Sequence, residues 1–282
     1  MALDLSGMNA IPKDSAIFCP TDKVRRILLG IDIGEEDIRR AKDTGYDLVI
    51  THHPIDQTRF MSVMDRQEKL MHHAGVSADK AEKACRQNKA VYEKWTQSLP
   101  HDENTDRLIA LAHTVRIGFM NIHQPCDEIG RRILQDMADA AGASGTVSSL
   151  MDTYQTLPEM THSTEGIQLV CGDPDATTGK TMVIHAAGTN GGYPVATALF
   201  ESGIGTVVYI HLHSNDQAAR LRKENKGNLI LTGHYASDSL GINPLVDALE
   251  NAGVEVDCCN KMTRVKHTEV NQALCGSAYR RP

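Results

Sequence analysis

The sequence predicts an α/β protein: two α/β domains with mixed sheets flanked by helices, and a metal site between them at strand ends. Three observations carry this reading. Short β-branched apolar runs alternate with segments of helical periodicity along most of the chain. Aromatic residues make up only 4% of the chain against 41% hydrophobic, so Val, Ile, Leu and Ala must do the packing, as they do in α/β layers. Several apolar runs end abruptly in histidine with aspartate close behind, which is how buried strands deliver polar groups to the rim of a sheet.

In chain order, residues 27–32 read as a strand. Glu35, Glu36 and Asp37 then open a helix with acids at its positive end, Arg39, Arg40 and Lys42 lie toward the other end, and Gly45 stops it. A second strand over 47–51 ends in His52, His53 and Pro54. Adjacent residues of a regular strand face opposite ways, so one site can use both histidines only if the chain bends there, and Pro54 favours that bend. We take the doublet as one wall of a metal site; two solvent-facing imidazoles are the plainer alternative.

Residues 61–115 are helical in character. Ala81, Ala84, Asn88, Val91, Tyr92, Trp95 and Leu99 recur at helical steps between Ser77, an N-cap, and Pro100, a stop; a second helix covers 105–115. The segment reads as a helical hairpin over or beside the site. His72 and His73 follow no strand and read as helix-surface residues. A strand over 117–122 then runs into His123, Gln124, Pro125, Cys126 and Asp127, followed by an amphipathic helix over 128–141 closed by Gly142. Asp127 suits an N-cap and also a ligand, roles that do not exclude each other.

Residues 144–180 are rich in Ser, Thr, Gly, Asp and Pro and mark a linker between an N-terminal domain, 1–143, carrying the insert at about 61–115, and a C-terminal domain, 181–282. The second domain reads as strands over 182–185, 206–211, 229–232 and 254–258, with helices over 194–202, 216–225 and 244–251. Asn243 and Pro244 look like the cap and first residue of the last helix. The glycine-rich turn 188–192 lacks a phosphate-binding signature and reads as a tight turn. His211 and His213 form a rival ligand pair, or simply sit at a sheet rim. Gly233, His234, Tyr235, Ala236, Ser237 and Asp238 repeat the earlier theme, since His234 and Asp238 share one face if the segment is helical.

A net charge of −7 gives no footprint for nucleic acid. The seven cysteines form no C-x-x-C pair and their odd number argues against a disulfide framework. With no basic-apolar leader over 1–10 and no 18-residue apolar run, a soluble cytoplasmic protein with reduced thiols is expected.

Together, the doublet at His52 and His53, the H-x-P-x-D element at His123 to Asp127 and the G-H-x-x-S-D element at Gly233 to Asp238 resemble the NIF-three-like family, often described as type-2 GTP cyclohydrolase I. The run from Val170 to Asp175 (VCGDPD) also resembles that family's pattern, and the likeness spans nearly the whole chain. The resemblance implies a dinuclear metal centre in a hexameric toroid. It implies that His52 and His53 bind one metal each, that Asp127 and His234 are further ligands, that Asp238 bridges, and that His123 is a weaker ligand or supporting partner. The family usually has glutamate where this chain has Asp238, and the insert 61–115 is longer than its usual spacing.

An imidazole and carboxylate set suits two divalent ions, Zn, Mn or Fe. Two such ions at roughly 3.5–4 Å can share a water, lower its pKa and present hydroxide to a substrate. The expected function is therefore a metal-dependent hydrolase acting on a small-molecule substrate, with a nucleotide as the candidate and cyclohydrolase chemistry resting on resemblance alone. The rival is a non-catalytic, metal-stabilised ring that serves as a binding or regulatory platform.

Overall fold

The computed structural model describes residues 1–55, 63–98, 104–184, 191–212 and 214–267. In chain order the described strands are β1 (Ala16–Cys19), β2 (Arg26–Gly30), β3 (Leu48–Thr51), β4 (Gly118–Asn121), β5 (Gln168–Cys171), β6 (Thr181–Val183), β7 (Thr206–Tyr209), β8 (Asn228–Leu231) and β9 (Glu255–Cys259). The helices are α1 (Ala2–Ser6), α2 (Glu35–Asp43), α3 (Met64–Ala74), α4 (Ala78–Ser98), α5 (Asn104–Val115), α6 (Gln124–Ala141), α7 (Val147–Gln155), α8 (Pro158–Thr161), α9 (Gly192–Phe200), α10 (Asn215–Glu224) and α11 (His234–Asn251). The fold is mixed α/β with two sheets flanked by helices, as the alternating pattern predicts. The expected helix stop at Leu99 and Pro100, the turn residues 188–190, His213, Cys275 and the Trp95 side chain lie outside the described set.

One sheet has the order β1-β4-β3-β2-β9 and the other β5-β8-β7-β6. In the first, parallel pairing sets Gly30 level with Thr51 and Thr51 level with Asn121, so the residues that follow β2, β3 and β4 leave at one edge. In the second, Tyr209 pairs with Leu231, and the residues after β7 and β8 leave together in the same way. Open α/β sheets place ligands at this carboxyl edge.

Helices α6 and α11 fill the space between the sheets. Ile242, Leu245 and Val246 of α11 pack with Ile27, Leu29, Leu48 and Ile50 of the first sheet. Ala236 and Leu240 of the same helix pack with Val183, Val208 and Ile230 of the second, joined by Ile129, Ile133 and Leu134 of α6. Each such large aliphatic side chain, once buried, stabilises the fold by about 1.5–3 kcal/mol. A helix covered on every side shows no polar stripe, and residues 236–247 of α11 are all buried.

That burial explains the first correction. Pro244 lies inside α11 and does not begin a helix, and Asn243 is no cap: its amide donates to Glu159 Oε1 at 2.7 Å and to the Thr263 carbonyl at 3.0 Å. The period-based expectation failed because neither apolar nor polar residues mark a face here. A second correction concerns α6, which starts at Gln124 with His123 at the cap position and Pro125 in the first turn, where no backbone N–H is needed. Asp127 is therefore a first-turn residue and not the N-cap.

Strand β9, expected to finish the second series, pairs in parallel with β2 in the first sheet. Because α11 spans both sheets, the chain that leaves it emerges beside β2, and Arg26 bridges to Glu255 at 3.2 Å while Tyr46 donates to Asp257 at 2.6 Å. The helical insert divides too. Met71, Ala81, Ala84 and Cys85 of α3 and α4 join the core of the second sheet with Val195, Ala196 and Leu199, whereas Leu108, Leu111 and Ala112 of α5 cover the first sheet. The polar stretch 144–180 is folded: Thr146 caps α7 by accepting from the Ser149 amide at 3.2 Å, and β5 forms an edge of the second sheet. No helix among the described residues is long and apolar enough to cross a membrane.

Candidate metal centre

His52 and His53 extend β3 beyond its last residue, their amides donating to the carbonyls of Gly30 at 2.9 Å and Ile31 at 3.1 Å. Each ring is then fixed through Nδ1. His52 Nδ1 meets the Ile122 carbonyl at 2.9 Å, His53 Nδ1 meets Asp32 Oδ1 at 2.7 Å, and His123 Nδ1 meets Asp14 Oδ2 at 2.7 Å. A carbonyl can only accept, so His52 Nδ1 carries a proton there, and the neutral form of the ring has its lone pair at Nε2, toward the carboxylates. This is the arrangement that supporting groups impose on metal-binding histidines.

The Nε2 atoms converge on two carboxylates. His52 Nε2 lies 3.2 Å from Asp127 Oδ1 and 3.7 Å from Asp238 Oδ1. His53 Nε2 lies 3.3 Å from Asp238 Oδ2 and 3.2 Å from His234 Nε2, and His234 Nε2 is 3.3 Å from Asp238 Oδ2. His123 Nε2 stands 3.5 Å from Asp127 Oδ2. Three overlapping groups result, in each of which one ligand atom per residue lies within 4.8 Å of the others: His52, His53 and His123; His53, His234 and Asp238; His52, Asp127 and Asp238. The structure thus brings together all six residues singled out in the sequence.

Local structure accounts for each placement. Asp127 and His123 come from the first turn of α6 and the residue before it, and His234 and Asp238 from the first two turns of α11, one above the other at i and i+4. Gly233, at φ +93°, permits the sharp entry from β8 into that helix. The two helices can bring their carboxylates together because Gly241 of α11 packs directly on the α6 backbone.

The electrostatics call for positive charge. Burial disfavours a charged His53, but Asp238 and Asp32 outweigh it and raise the group to about 9. His52 responds likewise: burial opposes its protonation, and Asp127 and Asp238 push it well above the usual histidine range. His234 moves the other way, lowered chiefly by burial. His53 in turn holds the Asp32 carboxyl below the usual range through its hydrogen bond. Lone pairs and carboxylates crowded at 3.2–3.7 Å are reconciled either by protons on these imidazoles or by cations. His52 Nε2 is buried and makes no hydrogen bond, as suits a lone pair kept for a metal. The donor set is nitrogen and oxygen; burial pushes the Cys126 thiol up, which keeps it a neutral neighbour of His52.

The cluster is closed on one side and open on the other. The side chains of His52, His123, Asp127 and Asp238 are 1–2% exposed, whereas His53 and His234 are 23% and 27% exposed. The His211 ring lies tilted against that of His234, centroids 4.5 Å apart, at the edge of the cluster and outside the three groups. His72 bridges Glu68 at 3.5 Å on the surface of α3. Sequence reasoning missed two supporting carboxylates. Asp32 repeats the theme of an apolar strand ending in a polar residue and was legible; Asp14, in an irregular segment before β1, carried no signal.

The sequence model of Duf34/NIF3 (NGG1p interacting factor 3) matches residues 16–78, which include His52 and His53. Across 92% of this chain and 94% of the other, the structure is similar to a NIF3 superfamily protein from Sphaerobacter thermophilus, at 39% identity and a TM-score of 0.83. Reduced HcgD from Methanocaldococcus jannaschii shares the fold at 12% identity and a TM-score of 0.56, covering 88% of this chain and 90% of its own. The hypothetical protein SA1388 from Staphylococcus aureus does so at 12% identity and 0.52, covering 92% and 93%. No curated protein matches the chain.

Proposed function

We propose a function for a chain that belongs to the NIF3 superfamily: it binds divalent cations between α6, α11 and the ends of β3 and β4, and hydrolyses a small substrate there. One observation carries the reading, namely the convergence of imidazole Nε2 atoms on Asp127 and Asp238 behind rings already oriented through Nδ1. Two ions would be held by His52, His53, Asp127, His234 and Asp238, with Asp238 shared between them and His123 as a weaker ligand.

A bound divalent ion supplies Lewis acidity and lowers the pKa of water to near neutrality. The protein's own part is orientation and access. Ile122, Asp32 and Asp14 hold the three rings, the buried walls exclude bulk water, and the exposed edges of His53 and His234 leave room for a small molecule to approach. Catalytic metal sites keep a coordination position for water or substrate, and access at the exposed edges of His53 and His234 is what such a position needs; that access supports hydrolysis over a purely structural role. Ring opening of a purine nucleotide and assembly as a hexameric ring form the finer part of the proposal and rest on the family resemblance.

The test is turnover of chelator-treated and metal-reloaded protein against GTP, small phosphoesters and cyclic amides. Metal-dependent turnover of one class, lost in Asp127→Asn, is expected. A folded, metal-loaded protein inert to all three classes would instead point to the platform.

A further inference from the structure

A second concave site lies away from the metal cluster and shares no residue with it. Helices α4, α9 and α10 flank an open-sided cavity of about 620 Å³, within the size range of about 300–1,000 Å³ typical of small-molecule sites. Its charge is at odds with the rest of the molecule. In a chain of net charge −7, three cations, Lys80, Lys83 and Arg220, line this one cavity against two acids, Glu201 and Asp216.

The acids nearby do not cancel them. Glu201 is held by Lys226 Nζ at 2.8 Å, and Glu224 is shared by Arg220 Nε at 3.2 Å, Lys226 at 3.4 Å and the Tyr193 hydroxyl at 2.6 Å. Asp216 sits in the first turn of α10, where the helix dipole already stabilises it. Lys80 and Lys83, one turn apart on α4, make no ion pair among the described residues. Arg220 is fixed with its guanidinium carbon 3.8 Å from the centre of the Tyr193 ring, which leaves a rigid planar donor beside two mobile ammonium groups. Val91 and Ala198 add an apolar wall. A cleft with an excess of one sign of charge in its lining concentrates the opposite ion.

From these features we infer that the cavity is a binding site for a small oxyanion of the phosphate or phosphomonoester class, gripped by Lys80, Lys83 and Arg220 with any organic body against Val91 and Ala198. The site stands whether or not the metal centre turns over a substrate.

The experiment uses metal-free protein, so that phosphate cannot be captured by bound cations, and titrates inorganic phosphate and phenyl phosphate calorimetrically at constant ionic strength. Saturable binding at one site per chain is expected. It should weaken by about tenfold or more in the Lys80→Ala/Lys83→Ala double variant, whose substitutions are exposed, and stay unchanged in His234→Ala. Equal affinity for the two probes would support the free ion as ligand, and tighter phenyl phosphate binding a monoester. Absence of saturation with both probes, an undiminished response in the double lysine variant, or loss of binding in His234→Ala would overturn the inference.

Discussion

Gly241 of α11 lies so close to Cys126 of α6 that a Cβ built on it would stand 2.1 Å from the Cys126 carbonyl oxygen and 2.8 Å from its carbon. The next residue after Cys126 is Asp127, and Asp238 precedes Gly241 by less than one helical turn. The contact therefore sets the distance between the two carboxylates of the metal centre. Gly241→Ala should separate the helices and cost about 1–3 kcal/mol, because the atoms in the way are backbone and cannot rotate aside. A urea midpoint equal to the parent's, with metal content unchanged, would show that the helices tolerate the extra carbon.

Asp32 touches His53 and not the cluster itself, and its side chain is 58% exposed. Asp32→Asn should leave the fold intact while weakening metal affinity by about 10–100-fold, the usual effect of removing a supporting carboxylate from a ligating histidine. Competition with a chromogenic chelator measures this. Parent-like affinity in the variant would mean that Asp32 does not orient a ligand.

His234 stands at the partly open side of the cluster, so His234→Ala should lower bound metal with little change in the thermal midpoint of the metal-free protein. Elemental analysis after gel filtration reads the first quantity, and calorimetry the second. The elution volume should also stay that of the parent. Collapse of the fold would place this histidine in a structural role instead.

The raised His53 carries a pH prediction for metal-free protein. A histidine whose folded pKa of about 9 exceeds its ordinary 6.5 stabilises the fold fully below 6.5, and that contribution is lost as pH climbs through 9. Urea midpoints measured with chelator present should fall between pH 6.5 and 9, and His53→Gln should flatten that fall. A flat parent profile over this window would contradict the assignment of protons to the cluster.

Metal binding competes for the same protons. Calorimetric titration of zinc or manganese at pH 7.5 in buffers of different ionisation enthalpy should reveal proton release, because Asp238 and Asp32 raise His53 to about 9 and a ligating imidazole must give up its extra proton. Heats independent of the buffer would mean that the cation does not displace that proton.

The sequence by itself nominated the six residues that the folded chain brings together at the centre. His52, His53, His123 and Asp127 follow apolar strands whose patterns are short-range and periodic, and the spacing of His234 and Asp238 needs only one helical turn to align them. It also determined the alternating α/β order, since strand and helix periods are local properties of the chain.

Tertiary structure alone decided where α11 begins, which sheet receives β9 and how the insert divides. A helix buried on all sides carries no stripe to read, and a β-branched strand fits either sheet equally well until neighbours fix its register. Asp14 shows the same limit at the site. Its hold on His123 spans 109 positions of sequence and exists only because β1 returns antiparallel beside β4, a pairing that depends on the whole first sheet being assembled.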